Sequence, residues 1–366
     1  MKSFRKAFTL VEIMAATLIM TVIVLSVLIV TTQILGTWNS TSGQLKNYFN
    51  ASIVGNIIQE DMESLLIKRD GRAWLQVAYP ENVGMLTGSN YYDSVPLKPP
   101  EIMFYSPTML RPRYTRDQLS AASQDGGKFA VPIPGSVCAI KYQLSVKSPF
   151  LESASDESQN ENQYNAFYGF YRAVIDPRST VLEAMGQTIQ GYTSDIESDS
   201  YRYALSNNLW NKTCTIIDEQ GVEQPGRDLR TWVLSPENLL VMNVVDIRVT
   251  FGVFYPNPNS GVNEPRYKTA YIPPGTPFTV GRKILSPVAF GYGAGGTRES
   301  VDPTLVEEGF LAFADFSMTF ISDEGAKEMR AKMTAKTLTQ EEFKQLVLQY
   351  GNTVTRRVQF IAEPID

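Results

Sequence analysis

The chain has 366 residues, of which 43% are hydrophobic and 19% charged, with no histidine and a formal net charge of -5. The missing histidine excludes Ser-His-Asp, Cys-His and H-E-x-x-H sites and removes the commonest general base and metal ligand. Mild acidity without any basic run argues against a broad phosphate-binding face, so no nucleic-acid partner is expected.

The first element is apolar. Lys2, Arg5 and Lys6 precede the stretch Ile13 to Val30, which carries no charge and approaches the ~20 residues that a helix needs to cross a bilayer. The basic excess keeps the short amino-terminal tail in the cytoplasm and sends the rest of the chain outside. The text that follows, TTQILGTWNSTSGQ, offers no A-x-A site, so the segment reads as an anchor and not as a cleaved secretory signal. Glu12 sits at the edge of the run. A carboxylate in hydrocarbon costs roughly 2.5 to 3.5 kcal/mol on insertion scales, which marks Glu12 as a candidate functional residue.

Further along, Phe49, Ile53, Ile57, Ile58, Met62, Leu65 and Leu66 recur at spacings of three and four. This amphipathic stripe extends the helix, predicted as one element from about Phe8 to Lys68. From residue 73 the pattern turns to short β-branched and aromatic runs bounded by Pro, Gly, Asn and Ser, and these predict strands. The runs are AWLQVAY, EIMFYS, SVCAIKYQLSV, NAFYGFYRAVI, LLVMNVVDIRVTFGVFY, FADFSMTFIS and RRVQFIAE. Strict alternation puts Ile247, Val249, Phe251 and Val253 on one face and Asp246, Arg248, Thr250 and Gly252 on the other, as in a half-buried antiparallel strand. Helical segments are predicted at STVLEAMGQTIQ, SPENLLVM and SDEGAKEMRAKMTAKTLTQEEFKQLVLQYG. The fold class is therefore α+β: a long amino-terminal helix packed on an antiparallel β-sheet head.

The head offers no catalytic constellation, no cofactor motif and no metal-ligand spacing. FGYGAGGT is glycine-rich but lacks the G-K-[ST] of a phosphate loop, and pairs such as Asp195 with Glu197 or Asp156 with Glu157 lack EF-hand spacing. Cys138 and Cys214 are a candidate disulfide in an oxidising compartment, or two buried thiols. Asn211 heads an N-K-T glycosylation sequon. Long polar or Pro/Gly/Asn-rich stretches near 106–135, 152–163, 186–237 and 255–305 are predicted as surface loops, serving either partner recognition or spacing.

The amino-terminal text KAFTLVEIMAATLIM resembles the signature of type IV prepilins and type II secretion pseudopilins: a basic leader, a small residue, Phe, Thr-Leu-Val-Glu and a long apolar helix. The resemblance implies that prepilin peptidase cuts between Ala7 and Phe8 and methylates the new amine; Ala7 departs from the glycine usual in that family. It also implies that Glu12 is an assembly residue, whose carboxylate meets the terminal amine of a neighbouring subunit. The stretches EDMES, EIMFYSP, AIKYQLSV, FYGFYRAVIDP, NVVDIRVTFGVF, LAFADFSMTFISDEG and TRRVQFIAEP are similar, in order, to those of J-type minor pseudopilins. By that likeness, residues 1–7 are a leader, 8–68 a transmembrane and spine helix, and 69–366 a pilin-like head with enlarged loops.

The implied protein is a non-enzymatic subunit of a secretion filament, single-pass in the bacterial inner membrane with a periplasmic head. Its partners would be prepilin peptidase, major and minor pseudopilins and the inner-membrane assembly platform. A minor type IV pilin for adhesion or uptake, and an uncleaved membrane-anchored envelope enzyme, are the alternatives.

Overall fold

The structure, a computed structural model, describes residues 10–67, 73–79, 99–107, 137–147, 167–175, 213–217, 223–228, 233–257, 266–292, 296–335 and 337–360. The chain divides into two compact units, Met1–Phe49 and Asn50–Asp366. Helix α1 covers Leu10–Glu63. It stops short of the predicted Lys68 for a local reason. The Ser64 hydroxyl donates to the carbonyls of Glu60 and Asp61, and the Leu66 amide donates to the Tyr105 carbonyl at 2.9 Å instead of to a helical carbonyl. A neighbouring strand has captured the backbone that would have continued the helix.

The second unit holds two antiparallel sheets and a separate hairpin. One sheet has seven strands: β1 (Leu75–Ala78), β2 (Glu101–Ser106), β3 (Cys138–Lys147), β4 (Phe167–Ile175), β7 (Leu239–Met242), β10 (Phe278–Val280) and β11 (Ile284–Leu285), in the order β11-β10-β1-β2-β3-β4-β7. The other has six: β8 (Val244–Pro256), β9 (Tyr267–Ile272), β12 (Phe290–Tyr292), β13 (Arg298–Ser300), β14 (Phe310–Ile321) and β15 (Gly351–Gln359), in the order β13-β12-β9-β8-β14-β15. The hairpin pairs β5 (Thr213–Ile217) with β6 (Glu223–Asp228). Among the described residues the unit also has helices α2 (Pro303–Glu307), α3 (Asp323–Thr334) and α4 (Gln340–Tyr350).

The predicted strands are found, and the α+β class with them. The alternation in β8 is as expected: Ile247, Val249, Phe251 and Val253 are buried, while Arg248 is exposed. Three expectations are corrected. The SPENLLVM segment is not an α-helix, but a 3-10 turn at Pro236–Asn238 followed by β7, because Leu239 and Val241 find partners on β4. The run LLVMNVVDIRVTFGVFY is not one strand: Asn243, with φ 66, breaks it and passes the chain from one sheet to the other. That left-handed turn is held by hydrogen bonds from Asn243 N to the Tyr168 carbonyl, from Ile321 N to the Asn243 carbonyl and from Asn243 Nδ2 to Asp323. Thirdly, the region 255–305 is not simply loop, since it contributes β9 to β13. The predicted helix STVLEAMGQTIQ and most of 106–135, 152–163 and 186–212 lie outside the described residues.

The principal core lies where both sheets meet the end of α1. Ala51, Val54, Ile58, Met62 and Leu65 pack with Ile102, Phe104, Ile140 and Leu144 of one sheet and with Val249, Phe251, Ala314 and Phe316 of the other. A second cluster, including Trp74, Met103, Tyr105 and Tyr171, buries the opposite face of the seven-stranded sheet, which is why EIMFYS reads as a continuous apolar run instead of an alternating one. The predicted carboxy-terminal helical segment resolves into α3 and α4. Thr339 starts α4 with a reciprocal capping box to Glu342, and Met329, Met333, Phe343 and Leu346 bury the pair against Val245 and Ile321.

Candidate functional site

Two groupings of residues stand out, one in each unit. In the first, α1 presents Leu18, Ile23, Leu28 and Ile34 outward, all more than half exposed. Its hydroxyls are turned inward chemically. Those of Thr17, Thr21, Ser26, Thr31, Thr32 and Thr37 all donate to carbonyls three or four residues back. A helix whose polar side chains satisfy themselves this way can sit in hydrocarbon, where an unbonded hydroxyl would be costly. The helix is long and apolar enough to cross a membrane. Glu12 lies near the amino-terminal end of the described part of this helix. Lys2, Arg5, Lys6, Ala7 and Phe8 lie outside the described residues.

In the second unit three residues far apart in sequence converge. Asp61, fully buried on α1, accepts from Arg172 of β4 through both carboxylate oxygens, Nε to Oδ2 at 2.6 Å and Nη2 to Oδ1 at 2.8 Å. The Tyr142 hydroxyl of β3 donates to the same Oδ2 at 2.5 Å. The Tyr142 ring is itself stacked between Phe104 and Phe170, with centroids at 6.1 and 5.5 Å. The fork geometry of the guanidinium matches the carboxylate, and the phenol takes a further lone pair, so the buried charge is solvated by protein.

A second polar tie lies two residues earlier on the same helix, at Gln59. Arg356 of β15 reaches Gln59 Oε1 through Nε at 2.8 Å and also through Nη2, crossing the helix at Gly55. A Cβ at that glycine would stand 2.9 Å from the Arg356 side chain. Asn56, Glu60, Glu63 and Ser64 line an open polar groove beside it.

Sequence reasoning did not single out this triad. One signal was present: Asp61 falls on the apolar stripe formed by Ile58, Met62 and Leu65, and an acid in that position is informative. Arg172 was similarly set inside an aromatic strand. Neither residue reveals its partner locally.

Burial raises the pKa of Tyr142 well above the ordinary tyrosine range, with the Asp61 charge adding to it, and burial also pushes Tyr171 up to about 12 and Tyr168 further. The unfolded chain therefore loses these phenolic protons first. The stability they contribute is complete below about pH 10, the ordinary tyrosine value, and is lost as pH rises towards the folded values. Alkaline titration is expected to give a cooperative loss of near-ultraviolet circular dichroism coincident with the last tyrosinate absorbance to appear, and complete tyrosinate formation without unfolding would contradict it.

Cys138 is buried at the start of β3. The side chain of Cys214 lies outside the described residues, and with it the candidate disulfide. Among the described residues no three His, Cys, Asp or Glu side chains come together to hold a metal ion.

Comparison with family models, with curated proteins and with solved structures finds no match.

Proposed function

We propose that this chain is a structural minor pseudopilin, processed by prepilin peptidase between Ala7 and Phe8 and placed at the tip of a filament of the type II secretion kind. The observation that carries this reading is the join of KAFTLVE to a helix, from Leu10 onward, long and apolar enough to cross a membrane. In this reading the Phe8 amine and Glu12 lie one helical turn apart, and in low dielectric each unpaired charge is far costlier than the pair, so Glu12 sets the axial register between subunits. The protein waits in the inner membrane with its head in the periplasm, and meets other pseudopilins and the assembly platform there.

Convergence in the head supports the J-type assignment. Asp61, Tyr142 and Arg172 come from EDMES, AIKYQLSV and FYGFYRAVIDP, three of the stretches on which that likeness rests. Motifs that are individually degenerate thus share one structural reason. The ties at Asp61 and Gln59 hold the helix end to both sheets, as a subunit pulled by its first helix requires.

The test is intact mass and amino-terminal sequencing of the protein made with and without prepilin peptidase. The expected product with peptidase starts at methylated Phe8, and the product without it keeps Met1–Ala7. A chain that keeps its leader in both cases overturns the reading.

A further inference from the structure

Between Glu12 and Lys46 helix α1 carries no charge, so charge alone does not say where hydrocarbon ends along it. Two other features do. The apolar series that begins at Leu10 stops at Leu35, and the stretch that follows, GTWNSTSGQ, holds one large apolar side chain, Trp38. The hydroxyls change their behaviour at the same place. Those of Thr17, Thr21, Ser26, Thr31, Thr32 and Thr37 bond back to helix carbonyls, whereas among the described side chains the next to do so is Ser64. A hydroxyl that water or headgroups can reach needs no such bond.

The spacing agrees with a bilayer. At 1.5 Å per residue Glu12 and Trp38 stand about 39 Å apart along the helix, against about 30 Å for the hydrocarbon core and about 40–45 Å with both headgroup layers. An upright helix with Glu12 in one headgroup layer therefore brings Trp38 into the other. Tyr48, about 54 Å from Glu12, stands beyond both.

Trp38 is 71% exposed, and among the described residues nothing stacks on its ring or accepts its indole N–H. A helical side chain leans towards the amino terminus, so the indole lies over the turn of Ile34 and Leu35, with the exposed Thr41 and Ser42 on its far side. One side of the ring is thus greasy and the other wet.

We infer that Trp38 is an interfacial anchor, its ring at the boundary between acyl chains and headgroups and its N–H donating to the ester or phosphate oxygens of phospholipid. A protein neighbour would ask for an apolar stripe running past the ring in both directions, and here the stripe gives way to hydroxyls after Trp38. The anchor has a task. The apolar series from Leu10 to Leu35 covers about 38 Å, more than the hydrocarbon core, so by itself it does not fix how deep the helix sits. An amphipathic ring at its outer end selects one depth. The inference rests on the reading of α1 as a membrane span and is independent of the filament.

The test is tryptophan fluorescence of the full chain in phosphatidylcholine vesicles, with the spectrum of Trp38→Phe subtracted so that only Trp38 is read. Bromines near the lipid carbonyl are expected to quench this signal at least twofold more than bromines near the chain centre. Its emission maximum should stay constant in dimyristoleoyl, dioleoyl and dierucoyl lipid, because an anchored ring keeps its level while the helix tilts in the thinner bilayer. Circular dichroism checks that the variant is folded, and resistance to alkaline carbonate checks that the chain spans. Stronger quenching from the chain centre overturns the inference, as does a red shift in the thinnest bilayer, which would make Trp38 a passenger. No quenching in a chain that resists carbonate overturns it too, since the ring is then in water or under a protein neighbour. Release by carbonate would overturn the span and the anchor together.

Discussion

Replacing Arg172 by Leu is expected to destabilise the second unit by about 3–5 kcal/mol, the usual cost of stranding one member of a buried ion pair. Asp61 is fully buried, so without the guanidinium it loses the two N–H donors to its carboxylate oxygens while its charge stays out of water. The carboxylate must then be protonated or the helix end must leave its seat. Asp61→Leu should cost a similar amount, because it strands Arg172. The double variant Asp61→Leu/Arg172→Leu should recover most of the loss, since two apolar side chains of moderate size replace the pair without leaving a charge behind. Chemical denaturation of the four proteins measures the coupling. Additive single effects would show that the pair is not coupled. The loss should also be nearly independent of ionic strength, because salt screens buried charges poorly.

If the chain assembles as proposed, Glu12→Leu leaves membrane insertion and the fold of the second unit unchanged while reducing incorporation into filaments by about 100-fold. That factor corresponds to roughly 3 kcal/mol, a modest value for leaving one amine unpaired in low dielectric. Removing the carboxylate makes the helix more apolar, so insertion has no reason to fail. Glu12→Gln, similar in size but uncharged, should fail likewise if the charge is what the neighbour's amine requires. The readout is the fraction of subunit recovered in sheared filaments relative to the membrane pool. Incorporation at the native level in both variants would remove Glu12 from assembly and with it the physical basis of the filament reading.

Part of this structure was legible from the chain and part was not, and the division follows sequence distance. The membrane-length helix, the alternation of β8 and the capped carboxy-terminal helices express periodicities and caps that act within a few residues, so they can be read locally. The segment SPENLLVM shows the limit. Its apolar residues suit a helix as well as a strand, and it became a strand because β4 offered it an open edge. Likewise, the Pro/Gly-rich stretch after residue 255 resembles loop until its short strands find β8, β1 and each other.

By itself the sequence determined that the uncharged stretch from Ile13 to Val30 follows directly on an acid, Glu12, that the chain has no histidine, and that an α+β unit follows. Only tertiary structure decided that Asp61 meets Tyr142 and Arg172 across 81 and 111 residues. Such contacts are set by strand order and register, which depend on the burial of the whole unit. The residues themselves record only that a charge sits among apolar neighbours.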